Sequence, residues 1–191
     1  MNSNFFSMLF RMKYIDRWAL MRNSRKETLT EHTLEVAVLA HALATLGNTR
    51  CGKDYDADRA AVLGLFHDAH EILTGDMPTP VKYQNFTIES AFKGVEEAAN
   101  QTLLSMLPED LRGTYDPLVR EQDEKLRPLV KAADKLSALI KCIEERKAGN
   151  MEFRIAEQST QKALQKLALP EVEIFLEEFL PAFELTLDEM R

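Results

Sequence analysis

"AAVLGLFHDAHEILTGDMPTP", residues 60–80, runs from an unbroken apolar stretch into two histidines, an aspartate and a glutamate, then into glycine and proline. AAVLGLF is apolar on all sides, which predicts a helix buried inside the protein rather than lying on its surface. The Gly75, Pro78 and Pro80 that follow predict a loop. In a helix spanning roughly 56–74, an advance of about 100° per residue puts His67 and Glu71 about 40° apart, with Asp68 on the same half-cylinder. His70 falls about 60° to the other side of His67 and drops out of that cluster. Ionisable groups carried into such a region are costly unless paired. A satisfied core histidine beside two surface carboxylates would also account for the stretch, so the meaning of the cluster depends on partners elsewhere.

Apolar residues recur at three- and four-residue intervals along the rest of the chain, and alternating β-branched runs are missing. The expected fold is therefore an all-α bundle of about six to eight helices, forming one domain over 1–191. Helices are expected roughly at 3–14, 30–46, 56–74, 86–107, 124–148, 151–168 and 171–190. Thr30 is read as a cap of the second helix, Gly47, Gly75 and Gly149-Asn150 as helix closers, and Pro181 as a kink or stop. The stretch 75–85, GDMPTPVKYQN, is the long loop with the strongest turn chemistry, and loops of that length beside ionisable residues are often functional.

A net charge of −7 argues against general attraction to nucleic acid or anionic membrane, although a local cationic pocket is compatible with it. Cys51 and Cys142 fit no CxxC or disulfide spacing, and neither a signal peptide nor a long apolar span opens the chain. The expected compartment is the cytoplasm.

Two other segments supply partners for the cluster. In TEHTLEVAVLAHALA (30–44), His32 shares a core-facing stripe with Val36, Leu39 and Leu43, whereas His41 lies about 180° away and faces solvent. His32 alone reads equally as a plug at a helix end. In LVKAADKLSALIKCIEE (129–145), Asp134 stands beside the apolar row Leu129, Ala133, Leu136, Ile140 and Ile143, and either Lys131 or Lys135 offers it an ordinary ion pair. Taken together, His32, His67, Asp68 and Asp134 form two imidazoles and two carboxylates from separate helices. That mixture suits a divalent transition metal in a site with open positions, of the kind helical bundles build between facing helices.

The H…HD…D pattern resembles the HD-domain metal-dependent phosphohydrolases. More specifically, RWALMRN (17–23), EHTLEVA (31–37), HDAHEILTGDMPTPVKY (67–83) and KAADKLSALIKCIEE (131–145) resemble the bacterial 5′-deoxynucleotidases over nearly the whole chain. The resemblance implies an HD-type bundle and a metal held by His32, His67, Asp68 and Asp134, with Glu71 handling the nucleophilic water. It implies substrate contacts from Arg17, Trp18, His32, Asp68, Asp76, Met77, Pro78, Thr79 and Asp134, with Met77 standing where that family often carries leucine. It further implies a homodimer that removes phosphate from 2′-deoxyribonucleoside 5′-monophosphates with little regard for the base. One divalent ion per subunit is expected, and an N2O2 set admits cobalt, manganese, copper, zinc or iron.

Phosphate monoesters hydrolyse very slowly unaided, so a nucleophile, charge neutralisation and help for the leaving oxygen are all required. The metal suits a cluster with no nearby serine or cysteine nucleophile. Glu71 can take the water's proton, and Arg17 can meet phosphate oxygens as a fork. Arg17 alternatively balances Asp16 at the surface, Trp18 serves as a core anchor or a platform for sugar or base, and Asp76 as turn residue, proton donor or sugar contact. The competing functions are an HD phosphohydrolase acting on triphosphates or cyclic nucleotides, and a non-catalytic helical protein whose metal is structural or absent. Closed structural sites favour cysteine-rich sets, which counts against the latter.

Overall fold

The computed structural model describes residues 3–82 and 84–191, without the side chain of Thr79. Helix follows helix along the chain, as the spacing predicts. These are α1 (Phe5–Leu9), prolonged as a 3₁₀ helix over Phe10–Tyr14, then α2 (Leu29–Arg50), α3 (Ala57–Phe66), α4 (Glu71–Thr74), α5 (Thr79–Lys82) and α6 (Phe86–Ser105). After them come α7 (Glu109–Val119), α8 (Arg127–Lys147), α9 (Arg154–Lys166), reached through a 3₁₀ turn at Met151–Phe153, and α10 (Pro170–Glu178). A last 3₁₀ helix spans Leu180–Glu184, with Pro181 in its first turn, where the missing N–H ends the α-helical bonding of α10. Among the described residues no strand forms beyond an isolated Asp16–Thr28 bridge, and no helix is long and apolar enough to cross a membrane.

Several local expectations need correction. The helix expected over 56–74 stops at Phe66, and bonds such as Ala69 N–H to Phe66 O and Glu71 N–H to Asp68 O tighten 66–71 into three-residue turns before α4 begins. Helix α2 starts at Leu29 because Thr28, two residues before Thr30, caps it, with Glu31 completing a reciprocal capping box. Gly47 does not close that helix; it lies inside α2, where a Cβ would stand 2.8 Å from the Tyr55 ring. Gly75 and Gly149 do adopt left-handed torsions, at φ 74° and 80°. Helix α7 was not expected, since Gly113 and Pro117 break its pattern; its acidic first turn, Glu109 and Asp110, supports it. Within the expected loop 75–85, α5 makes one turn.

The core is built around α2 and α8, whose Val36, Leu43, Leu129, Ala133 and Leu136 are fully buried, with α3, α9 and α10 packed about them. A smaller cluster, including Phe5, Met12, Leu29, Ala69, Leu103 and Val119, seals the other side of the 67–70 turn. Helices α2 and α3 cross closely at Gly64, where any Cβ would meet Ala37 Cα at 2.8 Å. That close crossing brings the end of α3, with its histidine-aspartate pair, against the first turns of α2.

Candidate active site

His32 is fully buried in the first turn of α2, and its Nδ1 lies 2.9 Å from Ser137 Oγ on α8. Because the Ser137 hydroxyl donates to Glu35 Oε2 at 2.8 Å, its oxygen accepts from His32 Nδ1–H, which leaves a lone pair on Nε2. At the end of α3, His67 Nδ1 lies 2.8 Å from the Gly64 carbonyl, which can only accept, so Nε2 is the nitrogen that carries the lone pair when the His67 ring is neutral. Both Nε2 atoms are buried without a well-formed hydrogen bond. They point at carboxylates: His67 Nε2 is 2.9 Å from Asp68 Oδ2, and His32 Nε2 is 3.5 Å from Asp68 Oδ2 and 3.3 Å from Asp134 Oδ1. Asp134 thus meets His32 rather than Lys131 or Lys135.

Burial opposes charge at each of these groups, yet their pairing outweighs it. The imidazoles of His67 and His32 hold Asp68 well below the usual carboxylate range, His32 holds Asp134 at about 2, and Asp68 with Asp134 raises His67 to about 10. Positive charge is therefore strongly favoured at the centre of the cluster. Donor atoms of His32, His67 and Asp68 lie within 4.8 Å of one another, a spread that one divalent ion can span, with Asp134 alongside. The orphaned nitrogens, the anionic oxygens and their spacing fit a divalent metal.

Glu71 stands beside the set, largely buried, with Oε2 lacking a hydrogen-bond partner. Burial, followed by the Asp68 and Asp76 carboxylates, pushes its carboxyl up to about 9. His70, excluded by the helical-wheel reading, is also close. The tight turn at 67–70 groups its donor atoms with those of Asp68 and Glu71 within 4.8 Å, and its Nε2 lies 3.5 Å from Glu96 Oε1.

Arg17 and Trp18 reach this region from the 15–28 loop, whose base is pinned by Leu29 N–H to Ile15 O and Arg17 N–H to Glu27 O, both 2.9 Å. Arg17 Nη1 binds Glu27 Oε1 at 2.8 Å, while Asp16 pairs with Lys26 instead. Burial opposes the Arg17 charge, but Glu27, Asp134, Asp68 and Asp76 outweigh it and raise its pKa. Trp18 takes a left-handed φ of 59°; its N–H donates to Asp76 Oδ2 at 3.2 Å, its indole donates to Glu27 Oε2 at 3.0 Å, and its ring packs on Phe153. Trp18 is thus an anchor and a cleft wall at once. Arg17, Trp18, Asp76, Met77 and Pro78 line a cleft of about 570 Å³; the side chain of Thr79 lies outside the described residues.

Two participants escaped the sequence reading. Glu27, 5% exposed, is the buried carboxylate that holds both Arg17 and the Trp18 indole, and nothing in its neighbours' spacing announces it. Helix α9, expected only as scaffold, supplies the opposite wall of the cleft.

The sequence profile of the 5′-deoxynucleotidase YfbR-like family matches residues 4–183. The chain belongs to that family. Among its YfbR-like relatives, a 5′-deoxynucleotidase of Klebsiella pneumoniae and the 5′-deoxynucleotidase YfbR of Escherichia coli are each 46% identical over 190 residues, covering 98% of this chain and 96% of theirs. An HD-domain phosphohydrolase from Listeria innocua superposes with a TM-score of 0.83 at 22% identity, over 94% of this chain and 88% of its own. The cyanophage S-2L HD phosphohydrolase DatZ, whose structure holds dA and one catalytic Zn2+ ion, gives a TM-score of 0.66 at 18% identity, over 90% and 93%. These structures share the all-α HD fold of the YfbR-like chain, as the H…HD…D pattern implied.

Proposed function

We propose that this chain is a metal-dependent 5′-deoxynucleotidase, hydrolysing 2′-deoxyribonucleoside 5′-monophosphates with broad base tolerance to deoxynucleoside and inorganic phosphate. It works in the cytoplasm as a homodimer of single-domain subunits. The observation that carries the reading is the pair of buried, unpartnered Nε2 atoms on His32 and His67, facing Asp68 and Asp134 beside an arginine-lined cleft. The Klebsiella pneumoniae and Escherichia coli relatives carry the name 5′-deoxynucleotidase, which supports the reading.

His32, His67, Asp68 and Asp134 would hold one divalent ion, whether zinc, manganese, cobalt, copper or iron. When bound, the ion supplies a Lewis acid and acidifies water. Glu71 would orient the attacking water and accept its proton, its own raised pKa brought down where a bound cation offsets the Asp68 charge. Arg17, held by Glu27, directs its remaining N–H groups at non-bridging phosphate oxygens. As the bond from phosphorus to O5′ breaks, Asp76 serves the departing oxygen or the sugar, held in register by the Trp18 N–H. Trp18, Met77 and Pro78 crowd the sugar, so that a ribose 2′-hydroxyl enters unpaired.

The test is phosphate release from a panel of deoxyribo- and ribonucleoside mono-, tri- and cyclic phosphates, after chelation and readdition of single metals. Metal-restored release of inorganic phosphate from deoxynucleoside monophosphates is expected. Turnover confined to triphosphates or cyclic nucleotides, or unaffected by chelation, would overturn the assignment.

A further inference from the structure

We infer that Ser137 and Glu35 form a positioning relay behind His32, which fixes the tautomer of that metal ligand and sets how tightly the ion is held. The relay presupposes the metal-dependent reading above. Both residues act through His32 Nδ1, while Nε2 of the same ring faces Asp68 and Asp134.

Each of two helices supplies one metal-facing residue and, three positions on, its outer partner: His32 and Glu35 on α2, Asp134 and Ser137 on α8. Residues three apart share a helix face, so the packing that sets His32 against Asp134 also sets Glu35 against Ser137. Ser137 is fully buried, and its oxygen lies 2.9 Å from His32 Nδ1 and 2.8 Å from Glu35 Oε2. A carboxylate can only accept, so the single hydroxyl proton goes to Glu35 and the oxygen is left to accept from His32 Nδ1–H. Burial raises the Glu35 carboxyl from its usual value, and the strongest influence pulling it back down is this Ser137 bond. The hydroxyl thus favours the charged form of the acceptor that orients it.

A serine inside a helix ordinarily returns its proton to a carbonyl one turn back, whereas Ser137 reaches across to α2. Glu27 Oε1, 3.7 Å from His32 Nδ1, is beyond hydrogen-bond distance and already holds Arg17. His67, by contrast, is held through the Gly64 carbonyl three residues back, which no side-chain substitution removes. His32 is therefore the imidazole whose orientation rests on other side chains. The outer partner of a ligating histidine fixes its ring and raises its basicity, so loss of that partner is felt in the affinity for the ion.

Zinc affinity, measured by calorimetry against a competing chelator, and proton–nitrogen correlation spectra of the zinc-loaded protein test the relay. Ser137→Ala should weaken zinc binding about 10–100-fold, and Glu35→Ala, at an exposed helix position, about tenfold. Ser137→Thr, which keeps the hydroxyl, should stay within about threefold of wild type, and so should Glu144→Gln, which removes an acid near Glu35 but outside the relay. The His32 Nδ1–H resonance, identified by its absence in His32→Ala, should be lost to exchange with water in Ser137→Ala and kept in Ser137→Thr, while that of His67 stays in both. Zinc affinity within about threefold of wild type in both alanine variants, losses matched by Glu144→Gln, or disappearance of the His67 resonance together with that of His32 would overturn the relay. A wild type that binds no zinc would instead sink the metal-dependent reading beneath it. One that binds zinc but releases no phosphate from dAMP would sink the nucleotidase reading and leave the relay standing.

Discussion

Replacing Gly64 by alanine tests whether the close crossing of α2 and α3 builds the metal set. Inside a helix this substitution ordinarily stabilises by about 1 kcal/mol, because glycine loses more conformational freedom than alanine. Here the added Cβ meets the Ala37 backbone, Cα at 2.8 Å and N at 2.9 Å, and backbone cannot swing aside as a side chain can. Restoring an ordinary contact of 3.4 Å requires the helices to part by about 0.6 Å, the difference between those two values. Overpacking of this kind costs about 1–3 kcal/mol, and a rigid partner puts it at the upper end. The net expectation is a loss of about 1–2 kcal/mol, or a fall in Tm of about 2–8 °C for a chain of this size. Gly94, in the interior of α6 with nothing within 4 Å of its virtual Cβ, is the internal control, and Gly94→Ala should raise Tm by about 2–4 °C. Parting the helices also separates His67 from His32, so Gly64→Ala should weaken metal affinity measured by calorimetry about tenfold or more, since ligand sites tolerate only about 0.5 Å of error. Equal stabilisation by the two substitutions, with metal affinity intact, would refute the reasoning.

Glu71→Gln should retain metal binding while kcat falls about 10²–10⁴-fold, the usual contribution of a proton-accepting group; unchanged phosphate release would remove Glu71 from the mechanism. Trp18→Ala should lower all rates, because it frees Glu27 and uncovers Phe153, but the diagnostic readout is the ratio of deoxyribo- to ribonucleotide turnover, which should narrow; an unchanged ratio would place sugar selection elsewhere. Glu145 on α8 forms a buried pair with Lys141 and accepts from Ser24 N–H and Asn150, so it ties the 15–28 loop to the core. Burial works against its charge, but these hydrogen bonds outweigh it and lower its pKa from 4.5 to about 2. A depressed carboxyl stabilises the fold above its unfolded value and loses that contribution as pH falls through the folded one. Roughly 3 kcal/mol should therefore drain away between about pH 4.5 and 2. Urea unfolding of Glu145→Gln should lack that component, and parallel pH curves for variant and wild type would contradict it.

The helical class, the core stripe of His32, the apolar row of α8 and the left-handed torsions of Gly75 and Gly149 were legible because each follows from local spacing or torsion. The turn at 67–70 was not, since its three-residue bonds depend on how Ala69 is buried against the second cluster rather than on the residues in the turn. His70 was misplaced for the same reason. Helix α7 was hidden by Gly113 and Pro117, whose local cost tertiary contacts with α3 and α6 offset. Glu27 was invisible because it meets Arg17 and Trp18 across the 15–28 loop, whose closure no helical period encodes, and the α9 wall because it faces residues distant along the chain.

X-ray absorption on the zinc-loaded protein tests the central claim most directly. One zinc per chain, bound by two imidazole nitrogens and by oxygen donors, with an imidazole lost in either His32→Ala or His67→Ala, is the predicted result. Sulfur coordination, or a spectrum indifferent to both substitutions, would contradict it.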